Sequence, residues 1–400
     1  MIRLKKRFAA LTLLMLVLGI AAGCNWPWKD DDHDSRNAEP EEVPVWATVS
    51  SGGAHVAAVK SNGTLWVWGA NAKGQLGLGT WVDKNVPVQV DSNKWEAAAA
   101  GDLHTFAVMA GKGSVYSWGY GFDGQLANPP LWDYSNNTPI MVTAINDWAS
   151  VSAGGCRTAV LKDDGTLWAC GVIRDQSDSI FHNDPVRYPR MGLNQIGTED
   201  TWAAVHAGYT SYLALKSDGT LWAWGDNDCG QLGDGFTVDQ ESPVEVGNAS
   251  DWSREFSAGG NHGVAIKADG SLWAWGLNDY GQLGDGTQMN RLQPVLVDDA
   301  HTWKSVSAGL YHTLAIREDG TLWAWGCNSS GQLGNGTNTS SAVPVQVGTA
   351  ADWVTVSAGW YFSAGMRSGG SLWTWGDNYY GQLGNGTSTS STVPVQVGGE

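Results

Sequence analysis

The chain has 400 residues, with 53 glycines, 24 tryptophans and only 16% charged residues, a bias toward many short strands divided by glycine turns and away from helical bundles. Its length suits one large closed domain better than one small core. The formal net charge of −17 excludes DNA and RNA as partners, because nucleic-acid affinity comes mainly from Lys and Arg neutralising phosphates.

At the amino terminus, Arg3, Lys5, Lys6 and Arg7 precede an apolar run over residues 8–22. The run is too short for a normal membrane span and right for a signal-peptide core, so residues 1–23 are expected to be removed. It ends in Ala21-Ala22-Gly23-Cys24, which resembles the bacterial lipobox, with Ala21 where that motif usually carries Leu. The resemblance implies that Cys24 is the lipid attachment site and the first residue of the mature protein. Residues 24–44, rich in charge and proline and poor in aliphatics, read as a disordered tether. The expected place is the cell envelope, periplasmic or cell-surface, with the membrane touched through the lipid anchor alone.

From Trp46 onward the chain repeats. Trp46, Trp95, Trp148, Trp202, Trp252, Trp303 and Trp353 open units spaced by 49, 53, 54, 50, 51 and 50 residues, so residues 45–400 are one seven-repeat domain. The clearest unit contains four β-type runs, WKSVSAG, HTLAI, TLWAWG and PVQV. A dipeptide ending in glycine, such as Asp269-Gly270 or Asp319-Gly320, separates the second from the third and signals a tight hairpin with both turn positions at positive φ. In TLWAWG, Trp323 and Trp325 share one face while Leu322 and Ala324 share the other, so both faces are apolar and both must be covered. Seven four-stranded antiparallel units set radially meet that demand. The predicted fold is all-β, a seven-bladed β-propeller.

The motifs AGxxH, DGxLWxWG and NxxGQLGxG recur in fixed order and resemble the regulator-of-chromosome-condensation repeat, a family of seven-bladed propellers. The third unit departs most. Cys170 stands where a second tryptophan is expected, GQLGxG is missing after Gly171, and a loop over residues 172–200 intervenes, which predicts an irregular blade.

Nothing in the repeats nominates catalysis. His55, His104, His262 and His312 hold one repeat position, at which Arg157, Ser211 and Phe362 substitute, so they read as scaffold rather than as an acid–base or metal site. Cys156, Cys170, Cys229 and Cys327 lack zinc spacing. Counting outward from the Asp164-Gly165 turn puts Ala159 opposite Cys170, which disfavours a bridge to Cys156. No catalytic residue, metal site or cofactor is expected, and the domain reads as a monomeric binding module rather than an enzyme.

In a four-stranded meander the first and third loops of every unit share one face. That face gathers Tyr209, Leu310, Tyr311, Trp360 and Tyr361 from the first loops. Tyr120, Phe122, Tyr280, Tyr379 and Tyr380 come from the third, with Asp279 and Asp377 among neighbouring carboxylates. Exposed aromatics at positions that vary between repeats point to a protein partner. Two alternatives stay open: a polysaccharide-binding or polysaccharide-active propeller, and rings that fold inward to plug the channel. The pattern resembles family members that are secreted and inhibit β-lactamases through an aromatic loop face. Guanine-nucleotide exchange, the activity of the chromatin-associated members, is contradicted by export and acidity.

Replacing Cys24 by Ala should move the protein from the membrane to the soluble fraction on cell fractionation. The wild-type amino-terminal peptide should carry acyl mass in mass spectrometry.

Overall fold

The computed structural model describes residues 43–111, 113–127, 135–143, 147–171, 190–298 and 300–398. The export segment, Cys24, the tether up to residue 42 and most of the long third-unit loop lie outside them. Residues 44–400 form one compact unit.

All regular structure among the described residues is strand: seven four-stranded antiparallel sheets, each made of four consecutive strands. These are the blades, numbered one to seven in chain order. Blade six is representative, with strands Trp303–Ala308, His312–Arg317, Leu322–Gly326 and Ser341–Gln346, the last beginning three residues before the PVQV run. The outer strands form the rim of each sheet, and among the described residues that edge accepts, in five blades, one backbone hydrogen bond from the preceding blade's third loop, as Gly286 N–H bonds Ala342 C=O at 2.9 Å. Pro87, Pro139, Pro243, Pro294, Pro344 and Pro394 fall on those strands, where a residue without an N–H is tolerated and blunts edge-to-edge association.

The hairpin turns differ from the simple two-residue form. Only the glycine of each Asp-Gly pair has positive φ, as at Gly270 (+85°), and Gly270 N–H bonds Lys267 C=O at 2.9 Å. This is a type I turn followed by a left-handed glycine, stabilised by Asp269 Oδ1 accepting from Ser271 N–H at 2.9 Å. The extra residue shifts the register by one. Thr158, rather than Ala159, therefore lies opposite Cys170, and both Cys156 and Cys170 are free thiols.

The core is divided into seven layers, one between each pair of neighbouring blades. In the layer between blades five and six, Val264, Ile266, Leu272, Ala274 and Leu283 pack against Trp303, Val306, Ala308, Ala315 and Trp325. Leu322 and Ala324 face blade seven instead, so the two faces of TLWAWG are both buried. A hydrogen-bonded latch accompanies each layer. Trp325 Nε1–H and Thr313 Oγ1–H both donate to Gln282 C=O of blade five, at 2.9 and 2.8 Å. Thr313 Oγ1 lies 3.0 Å from His262 Nε2. Because the threonine proton is committed to the carbonyl, the imidazole must donate through Nε2–H, which leaves Nδ1 bare. Gly284 (φ +77°) lets the loop reach this carbonyl, since a Cβ there would sit 2.7 Å from Trp325 Nε1.

The latch explains the substitutions at the histidine position, because its partner changes with it. His55, His104 and His312 meet Thr105, Thr158 and Ser363. Arg157 instead meets Tyr212, with its guanidinium 5.8 Å from that ring. Phe362 packs with Val56 in an apolar closure layer. Blade three keeps the regular four-strand order despite its long loop. Its irregularity lies in the latch to blade four, where Tyr212 Oη–H reaches Cys170 C=O at 3.2 Å.

Ring closure exchanges no strand between blades. Trp46 N–H bonds Gly370 C=O at 3.2 Å, the bond that Trp303 N–H makes to Gly270 C=O at 2.9 Å between adjoining blades. Val45 packs on Gly370, so the residue before Trp46 sits against the hairpin turn of blade seven. Val395 of the terminal strand and Val397 just after it join Val56, Ala58 and Trp68 in the closure layer, so that strand lies beside blade one.

The latch histidines set an acid limit. Burial lowers the pKa of His55, His104, His262 and His312 from 6.5 to about 3, and Nδ1 of His55, His262 and His312 has no acceptor for a second proton. A depressed folded pKa on a base contributes stability that is full above pH 6.5 and is lost as pH falls from there toward 3. The denaturation midpoint should fall between pH 6.5 and 4.5, with a shallower slope in His312→Gln. Thr313→Val, which strips the latch of its shared hydroxyl, should cost about 1–3 kcal/mol in urea unfolding at pH 7.

Candidate functional site

The seven inner strands surround an axial cavity of about 350 Å³. A girdle of hydrogen bonds lines it. Ser50, Ser152, Ser257, Ser307 and Ser357 each accept the N–H of an alanine or serine on the next inner strand, at 2.8–3.0 Å. In blade four His206 takes this place, accepting Ala258 N–H through Nδ1 at 3.3 Å.

Beyond the girdle a glycine follows each inner strand, and the residue after it faces the channel mouth. Around the ring those residues are Gly53, Asp102, Gly155, Tyr209, Gly260, Leu310 and Trp360, small and large in turn except where Leu310 adjoins Trp360. The glycines make room for their neighbours. A Cβ on Gly53, Gly155 or Gly260 would fall 2.4 Å from Asp102 Oδ1, 2.7 Å from Tyr209 Cδ2 or 3.0 Å from Leu310 Cδ1. Tyr209 and Trp360, from blades four and seven, meet edge-to-face with ring centroids 5.8 Å apart. They close the mouth, together with Leu310 and Asp102. Behind them the buried Arg157 donates to Tyr209 C=O at 3.2 Å and pairs with Asp226 at 3.1 Å.

The predicted aromatic face thus resolves into separate groups. Tyr209, Leu310 and Trp360 form the plug. Tyr280, Tyr311 and Tyr361, from blades five, six and seven, form a row with successive ring centroids 5.2 and 6.4 Å apart. Tyr379 and Tyr380 make an edge-to-face pair at 4.9 Å, and Tyr379 is 75% exposed. Asp377 N–H bonds Tyr361 C=O at 2.9 Å, which sets its carboxylate at one end of the row. Asp279 directly precedes Tyr280 at the other end. Tyr120 and Phe122 stack on each other at 6.3 Å on blade two, with Lys73 5.3 Å above Tyr120. A further set was not read from the sequence: Trp81 and Val82 on blade one, Phe236 and Val238 on blade four, and Met289 on blade five are exposed at the tips of third loops. The signal was available, since the last two units carry only Thr, Asn and Ser at those places.

The opposite, turn face carries a cation in six blades, seated over two indoles. Lys216 Nζ lies 5.0 and 3.9 Å from the Trp202 and Trp222 rings. Arg317 lies 4.9 and 3.7 Å from those of Trp303 and Trp323. Among the described residues no group of three or more His, Cys, Asp or Glu side chains is placed to hold a metal ion.

A family model described as the RCC1-like domain matches residues 96–399, and regulator of chromosome condensation (RCC1) repeat models match residues 46–75 and 62–108. The chain belongs to the RCC1-like family. The Ultraviolet-B receptor UVR8 of Arabidopsis thaliana is 30% identical over 258 residues, 62% of this chain and 57% of that receptor. The RCC1-like propeller here therefore spans little more than half of that relative's length. Two solved structures share the fold. Human WBSCR16 matches with a TM-score of 0.74 at 22% identity, covering 84% of this chain and 93% of its own. Yeast RCC1 (Prp20), solved bound to Kap60, matches with a TM-score of 0.73 at 19% identity, covering 93% and 91%.

Burial in the RCC1-like plug raises the Asp102 pKa from 3.8 to about 7. An acid with a raised folded pKa contributes stability that is full below pH 3.8 and is lost as pH rises through 7. Asp102→Asn should consequently be more stable than the wild type above pH 7, with the difference closing as pH falls to 4. Thermal midpoints at pH 8 and pH 4 check this.

Proposed function

We propose that this RCC1-like propeller is a monomeric, non-enzymatic binding module, exported and held at the cell envelope through a lipid on Cys24, and that its loop face binds a protein partner. The observation that carries this reading is the row of Tyr280, Tyr311 and Tyr361, flanked by the exposed Tyr379 and Tyr380. Five tyrosines on adjoining loops, at positions free to vary without disturbing the latch, are a costly surface for a solvated protein and a common one for an interface. Yeast RCC1, which shares the fold, was solved bound to a protein, Kap60.

The plug assigns the residues different weights. Trp360, Tyr209 and Leu310 satisfy one another over the channel, so their truncation would disturb the scaffold as well as any contact. Tyr311 and Tyr380 are cleaner probes. The variant Tyr311→Ala with Tyr380→Ala should weaken partner binding at least tenfold, since interface anchors commonly lose about 2 kcal/mol or more on truncation. Asp319→Asn on the turn face should leave binding unchanged. Crosslinking capture by the full-length protein on its native membrane, quantified by mass spectrometry, measures both. The reverse pattern would assign binding to the turn face, and retention of a neutral oligosaccharide in place of a protein would favour the glycan reading.

A further inference from the structure

The axial cavity of about 350 Å³ is walled by groups that can still form hydrogen bonds. The backbone at its mouth is already committed: Gly53, Asp102, Gly155, Tyr209, Gly260 and Leu310 each donate N–H to the glycine C=O that follows the next blade's inner strand, at 2.8–3.3 Å. Recognition inside the cavity therefore falls to side chains. Ser50, Ser152, Ser307 and Ser357 each accept one backbone N–H, at 2.8–3.0 Å, and remain partly exposed in the cavity wall. A hydroxyl that accepts one bond keeps its O–H donor and a second lone pair. Fixed charge is scarce beside them. Among the described residues no Lys, Arg or Glu lines the cavity, and its one carboxyl is Asp102, whose pKa burial raises to about 7. Burial lowers the pKa of His206 to about 4, which keeps that imidazole neutral at pH 7.

We infer that this channel is a second binding site, independent of the loop-face partner, for a small neutral polyhydroxy molecule of monosaccharide size. Each class of ligand meets the wall differently. An anion finds no cation there and faces Asp102. A cation finds one half-charged acid in a wall of hydroxyls. An apolar molecule would displace water from the serine hydroxyls and leave them unpaired, at the cost of a buried polar group without a partner. The hydroxyls of a sugar or cyclitol both donate and accept, so they match serine hydroxyls one for one. The rings of Tyr209 and Trp360, edge-to-face at 5.8 Å, offer apolar surface to the C–H side of such a molecule as they close over it. The cavity lies at the small end of ligand pockets, which span about 300–1,000 Å³, and so admits one sugar ring rather than a chain.

The test applies saturation-transfer NMR and calorimetry to the full-length protein, with D-glucose, D-galactose and myo-inositol as probes and gluconate and glucosamine as charged counterparts. At least one neutral probe should bind saturably, and the charged counterparts should bind at least tenfold more weakly. Ser307→Ala with Ser357→Ala should weaken that probe at least tenfold. Should loss of two girdle acceptors unfold the protein, Ser307→Thr with Ser357→Thr keeps both hydroxyls, narrows the cavity by two methyl groups and should weaken the probe likewise. Tyr311→Ala with Tyr380→Ala should leave its binding unchanged. No saturable binding of any neutral probe up to tens of millimolar would assign the channel to water alone and overturn the inference. Equal binding of the charged counterparts, or full binding by serine variants that fold, would overturn it too. A probe lost with Tyr311→Ala and Tyr380→Ala but kept by the serine variants would lie on the loop face, removing the channel site and favouring the glycan reading of that face.

Discussion

The molecule depends on one constraint: each blade is a sheet with two apolar faces, and no blade can bury both alone. The repeated LWxW strand places large indoles on one face and Leu with a small residue on the other. Every blade is therefore stable only between two neighbours, and only a closed ring gives every blade two. Between blades the hydrophobic layer is non-directional, so it supplies affinity without register. Register comes from the latch, in which one loop carbonyl collects an indole N–H and a hydroxyl from the next blade while a histidine holds the hydroxyl.

Because the latch lies between blades, substitutions in it come in pairs. His with Thr or Ser, Arg157 with Tyr212, and Phe362 with Val56 are alternative ways of filling one buried space. In the His and Phe362 forms the latch donors are matched or removed together, as the cost of a buried unpaired donor requires. The same logic orders the channel mouth, where a glycine on one blade admits the large side chain of the next and a tyrosine from blade four meets a tryptophan from blade seven. The ring's order is thus written into neighbours, and the positions outside these contacts are free to vary.

That freedom concentrates on one face. The turn face is bound to the scaffold by its cation-over-indole seats and by ion pairs such as Lys216 with Glu199. The loop face carries aspartates and a row of rings. Arg157 connects the two regimes, since one buried guanidinium both replaces a latch histidine and holds the carbonyl of the plugging Tyr209.

The sequence alone determined the fold, because the seven-fold spacing of tryptophan, the two-sided LWxW strand and the Asp-Gly turns are local patterns whose geometric demands coincide. It also placed the first and third loops on one face, which follows from strand alternation. What only the tertiary structure decided are contacts across blades. The turn form at Asp-Gly, with its extra residue, moved Thr158 rather than Ala159 opposite Cys170. The pairing of His55 with Thr105 joins residues 50 apart, and Tyr209 meets Trp360 only because the ring brings blades four and seven to one axis. One-dimensional spacing carries the period of a repeat. Which side chains turn toward the axis and which toward solvent depends on the size of the residue facing them from the next blade, and that neighbour is defined only once the ring is closed.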